Sequence, residues 1–233
     1  MAADGWYIYN GRDAVPRHVT RVRIDESVSV IPAWAFDEHP NIEEVVFHKG
    51  VEKVEAGAFS YCPFLRRVIM PGVKEVEECA FWNCAALTDV ECSKLEVIGG
   101  CVFSENGSLT SVDLPSIKIV MADAFASCTA LVNVNFGAKL ESIRSGTFNG
   151  CISLERITLP LKDDIITDDN VFRGCENLKH VDLVEGAILH KTVDALLLEN
   201  WKIDTYREID AINQILSTTP SGDATHGGDD GGK

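Results

Sequence analysis

Two residue types in this chain of 233 residues could do chemistry, namely its eight cysteines and six histidines. Cysteines that bind zinc commonly occur in pairs such as C-x-x-C, and no such pair is present here. The cysteines instead recur at constant offsets from phenylalanines, which indicates packing positions. Five lie three residues after a phenylalanine, two lie two residues before one, and the last lies inward on a predicted strand: Cys62, Cys84, Cys128, Cys151, Cys175, Cys79, Cys101 and Cys92.

The redox state of these cysteines depends on the compartment. In a reducing compartment they are expected to be small buried hydrophobic side chains with inert thiols. In an oxidising compartment, cysteines of neighbouring repeats such as Cys62 and Cys84 would come within disulfide reach. The sequence leaves both alternatives open.

The histidines form no arrangement suited to catalysis. A catalytic site needs a nucleophile, a base and a group that orients the base. Here the histidines are scattered among the predicted ends, turns and one strand face, and the chain has no glycine-rich phosphate loop, H-E-x-x-H or G-x-S-x-G motif. We therefore predict a protein that is not an enzyme, with no catalytic residue, no cofactor and no bound metal.

A repeat of 22 to 24 residues positions all of these side chains. Seven phenylalanines mark it, at successive spacings of 23, 22, 22, 22, 23 and 24 residues: Phe36, Phe59, Phe81, Phe103, Phe125, Phe148 and Phe172. A nearly constant period in this range is typical of a solenoid, in which each unit buries its apolar edge against the next.

Three further apolar rows share this phase. The row six residues after each phenylalanine contains Ile42, Leu65, Leu87, Leu109, Leu131, Leu154 and Leu178. The row nine residues after it contains Val45, Val68, Val90, Val112, Val134, Ile157 and Val181. The row eleven residues after it contains Phe47, Met70, Cys92, Leu114, Phe136, Leu159 and Leu183. The alternation of the last two rows predicts one short, half-buried strand per repeat, and Pro71, Pro115 and Pro160 end three of these strands.

The unit C-x-x-L-x-x-V-x-L-P, followed further on by A-F-x-x-C, resembles the BspA-type class of leucine-rich repeats over about residues 28–186. The resemblance implies a right-handed repeat solenoid, mostly β with short turns and helices. It also implies a module for adhesion or protein binding whose repeats contain no catalytic residue. His39 and Asn106 stand where two repeats should have the cysteine. Asn106 fits the pattern, because leucine-rich repeats use Asn or Cys at this turn to hydrogen-bond neighbouring backbone.

Both ends are predicted to cover the repeats, and they resemble the algal branch of the same family. Residues 1–27 show two irregular strand patterns, which predict an N-terminal β cap over the seven repeats at 28–186, since an open solenoid edge invites aggregation. Residues 187–216 have apolar side chains at helical spacing, which predicts a C-terminal helical cap. Residues 217–233 are rich in Ser, Thr, Gly and Asp and are predicted to be a disordered tail.

Side chains that point away from the core on the main strands form the candidate partner-binding face. Adjacent repeats are expected to place Asp89, Glu91 and Asp113 close together, which would make an acidic patch for a basic peptide or a cation. A plain solvated polar face is the alternative, although Arg67 and Ile69 add the mixed character of protein interfaces. The residues chosen for partner binding are Arg67, Ile69, Asp89, Glu91, Ser111, Asp113, Asn133, Asn135, Arg156 and Thr158.

The net charge narrows the class of partner. With 36 acidic and 21 basic residues the chain has a formal charge of −15, so nucleic acid and anionic lipid would be repelled at long range. The chain has no signal-peptide pattern and no apolar run of about eighteen residues, so no membrane insertion is expected. We expect a monomer that binds a protein or peptide, with a basic partner favoured by the charge. We predict a cytoplasmic location, with an extracellular or cell-surface location as the alternative.

Three functions fit this sequence. The leading one is a non-enzymatic protein-interaction scaffold that binds its ligand on the strand face of a leucine-rich-repeat solenoid. The second is a secreted or cell-surface adhesion and recognition module, and the third is the recognition part of a longer regulatory protein. Free thiols in the native protein would favour the cytosol, whereas paired thiols would favour export.

Overall fold

The computed structural model describes residues 5–160, 162, 165–166 and 170–184. Within these residues the chain forms short strands joined by turns, and it contains no helix. The predicted helical cap at 187–216 and the predicted tail at 217–233 lie outside the described residues. The strands are β1 (Tyr7–Tyr9), β2 (Arg21–Ile24), β3 (Val30–Ile31), β4 (Glu44–Val46), β5 (Lys53–Val54), β6 (Arg67–Ile69), β7 (Glu75–Val76), β8 (Asp89–Glu91), β9 (Val97–Ile98), β10 (Ser111–Leu114), β11 (Ile119–Val120), β12 (Asn133–Phe136), β13 (Ser142–Ile143), β14 (Arg156–Pro160) and β15 (His180–Val184).

Every pairing between these strands is parallel, and after β1 the strands alternate between two sheets up to β14. The longer strands form a main sheet in the order β1-β2-β4-β6-β8, continued by β10-β12-β14-β15, and the two-residue strands form a second sheet in the order β3-β5-β7-β9-β11-β13. The predicted valine row is in register, with Val22 opposite Val45 and Val45 opposite Val68. The chain therefore winds as a parallel solenoid, which confirms the predicted fold. We number its seven coils by their phenylalanines, and each coil consists of a main strand, a second short segment and a turn.

The seven phenylalanines stack as one column. Successive ring centroids from Phe36 to Phe172 lie 4.5, 5.1, 5.6, 5.3, 5.6 and 5.5 Å apart, and the two rings of each pair are within 16° of parallel. The first six rings are almost completely buried. These separations are close to the spacing of about 4.8 Å between paired strands, so coil stacking and ring stacking reinforce each other.

A second column consists of side-chain donors three residues after each phenylalanine. Each thiol in this column donates to the carbonyl oxygen of the phenylalanine one coil earlier, at 2.9–3.1 Å, and the donors are Cys62, Cys84, Cys128, Cys151 and Cys175. Asn106 takes this place in coil 4, where its Nδ2 donates to the Phe81 carbonyl at 3.0 Å. In coil 1, His39 Nε2 lies 3.1 Å from the Pro16 carbonyl oxygen. The residues that replace cysteine therefore still place a nitrogen beside a carbonyl of the preceding turn.

The turns around the first six phenylalanines use left-handed backbone two residues before and two residues after the ring. Gly57 and Gly150 adopt positive φ there at little steric cost. Trp34 (φ 60°) and Tyr61 (φ 52°) hold bulky side chains in the same positions, where such residues are uncommon. Both of these aromatic side chains are exposed.

The N-terminal strand covers one end of the column. β1 pairs with β2 and with no other described strand, and the Tyr9 ring packs on Phe36 at a centroid distance of 4.7 Å. Beside it, the guanidinium groups of Arg21 and Arg23 lie 4.2 and 4.8 Å from the centre of the Trp6 ring. The first phenylalanine is therefore covered by an aromatic ring.

The main sheet is interrupted between β8 and β10, so the expected continuous ladder is in two segments. The two strands are neighbours without strand pairing. Val90 in β8 is only half-buried, unlike its counterparts in the adjacent coils. The small Cys92 and Ser93 follow Glu91 at positions where the adjacent coils have a large apolar residue and a proline, so less side-chain volume fills the gap between the strands.

Truncation of a ring in the column should destabilise the solenoid. Phe103→Ala is expected to lower the free energy of unfolding by about 3–5 kcal/mol, because it opens a cavity between two neighbouring rings. Phe64→Ala is the matched control, since Phe64 is 51% exposed, and it should change this free energy by less than about 0.5 kcal/mol. Denaturant titration followed by circular dichroism measures both values, and equal losses would contradict the central role of the column.

Asn106 offers a test of the donor column. Its Oδ1 is buried and has no hydrogen-bond partner among the described residues. Asn106→Cys keeps a donor for the Phe81 carbonyl and removes this unsatisfied oxygen, so the free energy of unfolding should rise by about 1 kcal/mol. Asn106→Leu removes the donor and should lower it. Thermal unfolding of both variants checks the order, and a lower melting temperature for Asn106→Cys than for the parent would refute this account.

Candidate partner-binding face

The outward side chains of the main sheet form one surface, which we call the strand face. They alternate with buried side chains, as in β10, where Ser111 and Asp113 are exposed between buried neighbours. The register places side chains of successive coils opposite each other, and Asp113 faces Asn135, which in turn faces Thr158. The strand face contains the ten residues predicted for partner binding: Arg67, Ile69, Asp89, Glu91, Ser111, Asp113, Asn133, Asn135, Arg156 and Thr158.

Arg67 neutralises the acidic residues of β8. Its Nε lies 2.9 Å from Asp89 Oδ2 and its Nη2 lies 2.5 Å from Glu91 Oε1, and Glu44 Oε1 is 3.7 Å from Nη1. The hydrogen bond to Glu91 and the charges of the surrounding carboxylates raise the pKa of Arg67. Asp113 lies on the other side of the sheet interruption. The expected acidic patch is therefore not an open patch, because one guanidinium group bridges two of its three members.

Two depressions lie on or beside the strand face. The first, of about 290 Å³, occupies the interruption between β8 and β10 and is lined by Pro71, Val90, Glu91, Cys92, Ser93 and Asp113. The second, of about 250 Å³, spans β10, β12 and β14. We call it the polar depression, and its lining is Ser111, Val112, Asp113, Asn133, Val134, Asn135, Arg156 and Thr158. Six of the ten predicted residues line the polar depression.

Hydrogen bonds orient the side chains of the polar depression. Asn135 Nδ2 donates to Asp113 Oδ1 at 2.7 Å, and Arg156 Nη1 lies 2.5 Å from Asp182 Oδ2. The amides, hydroxyls and guanidinium group present both donors and acceptors, and the side chains of Val112 and Val134 are buried beneath them. Such a surface is suited to the backbone and side chains of an extended peptide.

A larger depression of about 540 Å³ lies between the N-terminal segment and coil 1. It is lined by turn residues that include Asn10, Arg12 and Ser27, and it contains none of the ten predicted residues. The sequence therefore pointed to the smaller depressions on the main sheet and not to this one.

The cysteine thiols are protonated side chains that pack in the core. Burial raises the pKa of Cys62 and Cys128 to about 12, so these thiols are neutral and unreactive near neutral pH. Cys79 and Cys101 are only half-buried, yet desolvation and nearby charges raise the pKa of Cys79 to about 11. In the described ranges, no group of three or more His, Cys, Asp or Glu side chains is placed to hold a metal ion.

These features define a leucine-rich-repeat solenoid, a class whose members commonly bind proteins and are typically not enzymes. The chain matches the model of the BspA type Leucine rich repeat region (6 copies) over residues 17–121 and 96–218, and it belongs to that family. No curated protein matches its sequence. Among the described residues, none forms a helix that is long and apolar enough to cross a membrane.

Solved structures of bacterial proteins share the fold. The T. pallidum leucine-rich repeat protein TpLRR is 27% identical with a TM-score of 0.66, over 77% of this chain and 86% of that chain. A leucine-rich repeat protein from Bacteroides ovatus is 21% identical with a TM-score of 0.57, over 73% and 53%. The pneumococcal vaccine antigen PcpA is 14% identical with a TM-score of 0.50, over 71% and 41%. The last two similarities concern the fold alone.

Sequence reasoning missed two features of the strand face. It did not identify the ion pairs of Arg67, although the 22-residue period already placed Arg67 beside Asp89, so an alignment of the outward rows would have revealed them. It also did not identify the interruption before β10. The available signal was the small Cys92, which stands where the other repeats have Phe, Met or Leu.

The buried thiols should make the fold less stable at alkaline pH. Their folded-state pKa lies above that of an unfolded thiol, so their stabilising contribution is full below about pH 9 and is lost as the pH rises towards 12. The free energy of unfolding should fall for both proteins between about pH 7.5 and 10. The fall should be about 1–2 kcal/mol smaller for Cys128→Ala than for the parent. Denaturant titrations at both pH values measure the difference, and identical pH dependences would show that this thiol does not contribute.

Proposed function

We propose that this protein is an intracellular, monomeric protein-interaction scaffold that binds an extended segment of a partner protein in the polar depression. The observation that carries the proposal is the convergence of six predicted residues on one depression lined by hydrogen-bond donors and acceptors. Its membership in a family of repeat proteins supports the module type. Stacked coils give such proteins a long, regular surface on which a partner segment can lie.

The chemistry of the depression favours a particular kind of segment. Asn133 and Asn135 can pair with both N–H and C=O groups of a peptide backbone. Asp113 is a carboxylate at the rim without an ion pair among the described residues, so it favours a lysine or arginine in the ligand. An extended peptide whose backbone pairs with the asparagines and whose basic side chain reaches Asp113 therefore fits best.

The proposed intracellular location is supported by the donor column. Each of its five thiols uses its hydrogen for a bond to a phenylalanine carbonyl, so a disulfide between neighbouring coils would remove two donors from buried carbonyls. Eight free thiols in freshly isolated native protein would agree with a reducing compartment. Paired thiols would favour the alternative of a secreted or cell-surface adhesion module, and a mass near 25.5 kDa by light scattering would agree with a monomer.

The function is tested by one substitution in the depression and a matched one outside it. Asn135→Arg fills the polar depression with a large charged side chain, while Asn149→Arg places the same change at an exposed turn residue of coil 6. Affinity purification from the native cells, quantified by mass spectrometry, should recover the same partner proteins with the parent and with Asn149→Arg. The amount of these proteins recovered with Asn135→Arg should be lower by about tenfold or more.

Both variants should unfold at the temperature of the parent, because both positions are exposed. If Asn135→Arg recovers the same proteins in the same amounts as the parent, the polar depression is not the binding site.

A further inference from the structure

Three large aromatic side chains lie at the surface on the turns of coils 1 to 3. Trp34 is 57% exposed and Tyr61 is 41% exposed, while Trp82 is half-buried. The rings of Tyr61 and Trp82 meet edge to face with centroids 4.6 Å apart. Grouped exposed rings of this size mark interaction surfaces, and tryptophan and tyrosine are the side chains that most often dominate binding energy.

Hydrogen bonds and packing place these rings on neighbouring turns. The Trp34 ring covers Gly57, where an added Cβ atom would lie 2.1 Å from the ring. Gly57 and Tyr61 belong to the same turn, which the Ser60 N–H closes by donating to the Gly57 carbonyl at 3.0 Å. The Tyr61 N–H then donates to the Trp82 carbonyl at 2.8 Å. The three rings therefore follow one edge of the solenoid over three successive coils.

The charge around the rings has one sign. The turns of coils 1 to 5 comprise residues 31–40, 54–63, 76–85, 98–107 and 120–129, and none of these residues is a lysine or an arginine. We call their exposed surface the turn face. Its carboxylates are Asp37, Glu38, Glu55, Glu77, Glu78, Glu105 and Asp123.

Only some of these carboxylates are engaged within the protein. Glu55 accepts a hydrogen bond from the Ala33 N–H at 3.0 Å, and Glu77 accepts one from the Ala56 N–H at 3.1 Å and pairs with Lys53 at 2.5 Å. In the part of the chain that the structure describes, no salt bridge reaches the other five. The turn face thus retains negative charge, whereas the strand face neutralises much of its own.

The protein already contains one arginine that contacts both an indole ring and a carboxylate. At the N-terminal end, Arg21 lies 4.2 Å from the centre of the Trp6 ring and pairs with Glu44 at 3.1 Å, so one cation contacts an indole and a carboxylate together. The turn face presents indoles and carboxylates, and no described arginine or lysine lies over Trp34. A cation held over an aromatic ring gains electrostatic attraction, which neighbouring carboxylates increase.

We infer that the turn face is a second interaction surface, which binds a segment of a partner protein rich in lysine and arginine. Charge complementarity selects this partner, because the same surface repels nucleic acid and anionic lipid. The exposed rings favour a peptide over a small hard cation, since a hard cation gains most from oxygen ligands. This inference concerns residues outside the strand face, so it holds or fails independently of the function proposed above.

A titration with defined peptides tests the inference. The probe is a peptide of about twelve residues with alternating lysine, arginine and glycine, and the control peptide has glutamate at each basic position. Calorimetry should detect binding of the basic peptide only, with an affinity that falls as salt is added. In nitrogen-15 spectra of the protein, the indole signals of Trp34 and Trp82 should shift while that of Trp6 stays in place.

Three variants locate the site. Trp34→Ala should weaken binding of the basic peptide by about tenfold. The double variant Glu38→Lys with Glu78→Lys should weaken it by a similar factor. Glu141→Lys makes the same kind of charge change at an exposed residue just before β13, and it should weaken binding of the peptide by less than about twofold. The double variant keeps the test valid should Trp34→Ala fail to fold.

Several results would overturn the inference. These are an absence of binding at millimolar peptide, equal binding of the acidic peptide, or an equal loss for Glu141→Lys, which would show only general charge attraction. A titration with calcium chloride is the last control. If it shifts the Trp34 and Trp82 signals as strongly as the peptide does, the surface is a cation site and the inference is wrong.

Discussion

The stacking of one phenylalanine per coil is the interaction on which the rest of this structure depends. Parallel strand pairing sets a separation of about 4.8 Å between coils, and aromatic rings stack at nearly the same distance. Each coil must therefore return its phenylalanine to the same place after 22 to 24 residues, which explains the narrow range of the repeat length. The carbonyl oxygen of the phenylalanine accepts a hydrogen bond from the thiol or amide three residues after the next ring, which links each turn to the following coil.

The repeated core leaves variation to the outward positions, and the two surfaces built from them differ in charge. On the strand face, arginines alternate with carboxylates from β2 to β8, and Arg67 and Arg156 each pair with acidic side chains of adjacent strands. On the turn face, the carboxylates have few such neighbours and lie among exposed rings. A net charge of −15 is thus distributed unevenly, which matters because a partner meets a local surface and not the average of the molecule.

The interruption of the main sheet shows how the core affects the strand face. Coil 4 combines a small residue at the end of its main strand with the absence of a proline, and β8 and β10 lie side by side without pairing. A depression opens there, next to the polar depression of the following coils. In a repeat protein each coil contacts only its neighbours, so such a local change alters the surface without disturbing the column.

The sequence by itself determined the family, the number of coils, the column, the core rows and which residues of the main strands face outward. These follow from a period that repeats seven times, and averaging over copies makes even a weak positional preference clear. The tertiary structure decided which outward residues act together. Arg67 reaches Asp89 and Glu91, and the ladder stops after β8. The Tyr61 ring contacts the Trp82 ring, and the Trp34 ring covers Gly57 on the turn beside it. Such contacts depend on side-chain reach and packing volume between coils, and a repeat pattern read along one chain does not contain those distances.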